Sequence, residues 1–79
     1  MDEEKEKRKK EIEKEIESLN SQMKSKRFER YSDDEKLKYV DKQLSLFKEL
    51  KDLSGFMEKF AINKMIVILE GVRYKLINE

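Results

Sequence analysis

An all-α protein of three helices is the fold this sequence predicts: an antiparallel helical hairpin followed by an apolar C-terminal helix forming an oligomer interface. Three observations predict it. The chain of 79 residues has no proline and only two glycines, so little interrupts a helix. Charged residues make up 47% of it, and the long, unbranched Lys, Glu and Arg among them are good helix formers. Its apolar residues recur at steps of three and four, the period of one helix face.

The first helix is expected over residues 2–26. Glu3 with Lys7, Glu4 with Arg8 and Glu6 with Lys10 stand four apart, acid first, each contributing about 0.2–0.5 kcal/mol. Ile12, Ile16, Leu19 and Met23 are spaced four, three and four, a narrow seam like that of a coiled coil. Extended backward, this seam reaches Lys9 and Lys5, so the first turns have nothing to bury and are expected to fray or project.

Residues 26–32 break the pattern. Ser32 and Glu35 then match a capping box, in which two side chains satisfy orphan N–H groups at a helix start. Tyr31 is placed to staple against the Lys36 methylenes or, in preference, Leu37. A second helix follows over 33–53. Its apolar residues, from Leu37 and Tyr39 to Leu50 and Leu53, cover more than half its circumference, which calls for neighbours on two sides. Ser54–Gly55 ends it, with Gly55 suited to a left-handed C′ position.

Residues 56–77 admit two readings. As a helix, Met57, Ala61, Met65, Ile68, Leu69, Val72 and Leu76 form one stripe, and Phe56, Phe60, Val67 and Tyr74 form another. As strands, 65–69 and 72–76 would flank a Glu70–Gly71 turn. The helix is favoured. Glu is a poor residue for positive φ, 65–69 does not alternate, and two strands alone are marginal.

Composition divides the chain. Residues 1–35 carry 12 acidic and 10 basic side chains, whereas residues 55–79 carry 3 and 4 and most of the Ile and Val. No linker separates the ends, so residues 1–79 read as a single helical domain. So small a chain, without disulfides or metal, often needs oligomerisation. A helix with two apolar stripes points the same way, because one stripe stays exposed unless a partner covers it. A homodimer or higher homo-oligomer with residues 56–77 at its centre is expected, Phe56, Phe60, Val67 and Tyr74 being the oligomer or partner interface.

Several functions are excluded by composition. Cys and His are absent, which removes a disulfide scaffold, a Cys/His zinc site and a His-based triad. Phosphate-loop, dinucleotide and calcium-loop motifs are missing, so no enzyme, cofactor or metal site is expected. Glu70 is the best candidate for a buried carboxylate, against a simpler place on a polar strip with Lys59 and Asn63. Asp33, Asp34 and Glu35 read as acids complementing a helix dipole rather than as cation ligands. The charged opening residues argue against a secretion signal, and no apolar run suits a membrane span. Acidic and basic residues alternate along the N-terminal run without an opposed apolar face, so membrane-surface binding is not expected.

One segment suits nucleic acid. Lys24, Lys26, Arg27 and Arg30 surround Phe28 and Tyr31, a pattern in which cations meet phosphates and rings stack on bases. Against it stand Glu29, a net charge of only +1, and the alternative that both rings cap the core at the turn.

Leu19, Ser25, Phe28, Ser32, Glu35, Gln43, Leu44, Phe47 and Leu50 together resemble small helical-hairpin accessory proteins of tailed phages. In these, a lysine-rich helix leads through S-x-x-F-x-x-x-S-x-x-E to a helix carrying Q-L. The resemblance covers residues 19–53 and implies an antiparallel hairpin with an interaction role in a phage or prophage setting. It implies no assigned activity, and the apolar 56–77 segment departs from it.

The function expected is therefore a non-enzymatic protein–protein interaction module, of the kind of a phage accessory or inhibitor protein docking on a host protein through helix faces. The alternative is a small dimeric nucleic-acid-binding regulator using the 24–31 segment. The expected location is cytoplasmic, the host cytoplasm of a phage-infected cell included.

Overall fold

A computed structural model describes residues 2–78. The described chain is all-α, with α1 at Asp2–Met23, α2 at Lys26–Glu29, α3 at Asp33–Asp52 and α4 at Phe56–Asn78. The expected count of three is one too few. The break after α1 contains a single helical turn, because Ser25 serves both neighbours. Its hydroxyl donates to the Gln22 carbonyl at 2.6 Å and accepts the Phe28 N–H at 3.3 Å. It thus ends one helix and caps the next.

Ser32 caps α3 as its sequence position requires, its hydroxyl accepting the Glu35 N–H at 3.2 Å. At the other end Leu53 closes the helix in a right-handed conformation. Gly55 does not adopt the left-handed cap expected of it. Overlapping bonds from the Leu53 N–H to the Glu49 and Leu50 carbonyls, and from the Ser54 hydroxyl to Leu50, satisfy those carbonyls instead. Gly55 then starts α4, its carbonyl accepting the Lys59 N–H at 3.1 Å. The segment with two readings is helical throughout, Glu70 and Gly71 included.

α3 is the central element and packs on both α1 and α4. Arg8 meets Glu49, and Gln43 meets Ile16, so α1 and α3 run antiparallel. Arg73 meets Asp41 across the next pair, which is antiparallel as well. The Cα atoms extend over 43 × 21 × 15 Å, an elongated and rather flat body. The core takes Ile12, Ile16 and Leu19 from α1. From α3 it takes Val40, Leu44, Leu46, Phe47 and Leu50, and from α4 Ile62, Ile66 and Leu69. The α1 seam and the broad α3 face are the ones their spacing foretells.

α1 is tied down earlier than its seam suggests. Arg8 does not serve Glu4; its guanidinium reaches Glu49 with two bonds of 2.7 and 2.9 Å. Lys9, on the seam itself, bridges to Glu58 of α4 at 2.6 Å. These hydrogen bonds hold both cations above their ordinary pKa and pull Glu49 and Glu58 below theirs. Residues 3–7 remain exposed beyond these straps.

Gln43 is the polar member of the core and is fully buried. Its amide nitrogen donates to the Ile16 carbonyl at 3.2 Å and to the Asn20 side chain at 2.9 Å. Its oxygen has no partner. The two bonds fix the register of α1 on α3, at the expense of one desolvated acceptor.

Candidate functional site

α4 has apolar side chains on every side, so amphipathicity cannot choose which face turns inward. Sequence spacing favoured the stripe from Met57 to Leu76. The structure turns in Ile62, Ile66 and Leu69 instead, and of these only Leu69 belongs to that stripe. Packing against α3 sets the rotation, and ties at both ends of the helix accompany it. The short connection at residues 53–55 fixes where α4 starts, and Arg73 Nε bonds Asp41 Oδ1 at 2.8 Å near its end. Met65 and Val72 are pushed to the margin, at 39% and 40% exposed.

The Phe56 stripe therefore faces outward, and of the Met57 stripe only Leu69 and Leu76 reach the core. On one side Phe56, Phe60, Val67 and Tyr74 are 74%, 58%, 67% and 68% exposed. The rings of Phe56 and Phe60 meet edge to face, 5.2 Å between centroids at 87°, so they form one raised aromatic unit. Ile77 continues this ridge and is also exposed. It was missed although it follows Tyr74 by three, in a 4-3-4-3-4-3 run through 56, 60, 63, 67, 70, 74 and 77. On the other side stand Met57 and Ile68.

Beside the ridge, α3 and α4 enclose a groove. Two adjoining hollows share Lys48 of α3 and Glu70 of α4 on their walls. Leu44 and Tyr74 line one of them, and Val67 and Lys51 the other. Glu70 is exposed on this wall and is not a buried carboxylate. Asn63 lines the groove with it, whereas Lys59 does not. All three nevertheless share one side of α4, being four and seven residues apart in a continuous helix.

At the other end of the molecule, Phe28, Tyr31 and Tyr39 form a triangle with centroids 5.4–5.7 Å apart. Tyr31 packs there, on Phe28 and Tyr39. The Tyr31 hydroxyl and loss of solvent push the Tyr39 phenol above its ordinary pKa. Lys24, Lys26, Arg27 and Arg30 are all exposed around this cluster, but Phe28 and Tyr31 are half-buried and spend their faces on one another and on Tyr39. Lys36 stands over the Phe28 ring at 5.9 Å.

Asp33, Asp34 and Glu35 are exposed in the first turn of α3. Among the described residues no group of three or more acids is placed to hold a metal ion. Among the same residues no helix is long and apolar enough to cross a membrane. No family model matches the chain, and no curated protein or solved structure matches it.

Proposed function

We propose that this chain is a non-enzymatic protein–protein interaction module that binds through the outer surface of α4, in self-association or with another protein. One observation carries the reading: the apolar side chains of α4 left uncovered on both of its outer sides. The ridge from Phe56 to Ile77 alone presents on the order of 600 Å², the top of the range for the largest apolar patch of a typical monomer, and the second side adds to it. A helix that is apolar all round is ordinarily buried, and this one is buried along a single seam. Phe56, Phe60, Val67 and Tyr74 are the anchors, since aromatic side chains at an interface centre dominate its energy.

Phe60→Asp tests this. The side chain is 58% exposed, so its replacement leaves the core intact. Light scattering after size exclusion is expected to show loss of assembly or of partner binding with helicity retained. A variant that stays folded and assembled removes the anchor assignment.

The exposed cations at Lys24, Lys26, Arg27 and Arg30 favour a second reading, a dimeric nucleic-acid-binding regulator. It has phosphate contacts to offer but no free ring for a base. A salt-dependent gel shift weakened by Arg27→Ala and Arg30→Ala supports it, and a flat titration at low salt eliminates it.

A further inference from the structure

Asp41 of α3 and Arg73 of α4 satisfy each other at 2.8 Å, which leaves Lys48, Lys51 and Asp52 on the α3 wall of the groove and Glu70 on its α4 wall, a balance of +1 against −1. Among the described residues none of these four belongs to an ion pair. We propose that a second copy of this chain docks on this groove face to face. Phe60, Val67 and Tyr74 of each copy pack against the other's groove, and each Glu70 pairs with Lys48 of the partner subunit. The proposal rests on the reading of α4 as a docking surface and names its occupant.

Three features select a second copy. A two-fold axis brings a surface onto itself, so residue i meets j and j meets i. A groove with a surplus cation on one wall and a surplus acid on the other is complementary to its own copy under that operation, and the two ion pairs it creates are equivalent. The ridge has the 4-3 spacing of a helix that packs against other helices in a bundle, and its α3 neighbour makes the second of four helices. Its area is also sufficient. The exposed part of the ridge is on the order of 600 Å², given about 150–250 Å² for a whole aromatic side chain. With the α3 wall added, pairing covers about 800 Å² per copy, the size of a standard stable interface.

The opposite stripe of α4, with Met57, Ile68 and Val72, has the cations Lys64 and Lys75 on the same side of the helix. Nothing on it selects a copy of this chain over another surface.

Charge exchange in the full chain tests the pairing, read by sedimentation velocity over a dilution series. Lys48 and Glu70 are both exposed, so their replacement leaves the core untouched, and unchanged helicity verifies this. Glu70→Lys and Lys48→Glu are each expected to raise the dimer dissociation constant about tenfold or more, and the double variant to restore it to within about threefold. If the chain associates but neither single change matters, or the double variant is no better than the singles, the proposal is overturned while α4 remains a docking surface. If the unmodified chain is monomeric at every concentration, the proposal falls; if it is monomeric and Phe60→Asp also changes no partner binding, the docking reading falls with it.

Discussion

Replacing Gln43 with leucine exchanges a fully buried amide for an apolar side chain of similar volume. Two hydrogen bonds are lost, to the Ile16 carbonyl and the Asn20 side chain. At a net 0.5–1.5 kcal/mol each, that costs about 1–3 kcal/mol. The same change removes the unpartnered Gln43 oxygen, whose desolvation costs about 1–3 kcal/mol. The two nearly cancel, so Gln43→Leu is expected to stay within about 1 kcal/mol of the unmodified chain. Gln43→Ala keeps neither the bonds nor the volume and is expected to cost about 2–4 kcal/mol through the cavity it leaves. Gln43→Glu sets a carboxylate against two acceptors in the core and is expected to cost more than about 3 kcal/mol at neutral pH. Its folded-state pKa lies above the unfolded one. The folded state therefore holds the proton longer, and the penalty is absent below the unfolded value of about 4.3. It grows as pH rises from there to the folded value. Urea unfolding followed by helical circular dichroism measures all three, at matched chain concentration because the proposed association would contribute to apparent stability. A leucine variant as unstable as the alanine one would refute this balance, as would a glutamate variant with no such pH dependence.

Gly71 lies inside α4 without a positive φ, and a Cβ there meets nothing within 4 Å. Gly71→Ala is therefore expected to stabilise the chain by about 0.5–1 kcal/mol, read as a higher melting temperature; an unchanged or lower value contradicts the helical conformation at this position. Glu49 and Glu58 are held below their ordinary pKa by hydrogen bonds from Arg8 and Lys9. Their contribution is complete above the unfolded glutamate pKa and is lost as pH falls through the lowered folded values. The Glu49→Gln, Glu58→Gln double variant is expected to lose less stability on acidification over that range, by thermal unfolding across a pH series; a parallel profile shows that the straps add nothing.

Spacing made α1 and α3 legible because each has a definite polar side. The seam at Ile12, Ile16 and Leu19, the broad face of α3 and the Ser32 cap all follow from it. The single turn α2 was not legible. Lys-Arg-Phe-Glu has no periodicity to read, and its existence depends on one serine hydroxyl bonding in two directions. Nor was the inward face of α4, since every rotation of that helix buries apolar side chains and only its packing on α3 decides. Gln43 did leave a signal. Tyr39, Gln43, Leu46 and Leu50 follow a 4-3-4 spacing, which places the amide on the seam that meets α1. The groove was hidden for a different reason. Its walls come from Lys48 and Glu70, 22 residues apart in the chain, and only the antiparallel packing of α3 on α4 brings them together.

The proposal that a second chain covers the apolar surface of α4 is tested most directly by sedimentation equilibrium of the unmodified chain at micromolar concentration. The mass expected is that of a dimer or a larger closed assembly, declining toward the monomer on dilution. A single species of monomer mass across the whole concentration range would contradict the idea that one chain leaves more of this helix bare than it can sustain alone.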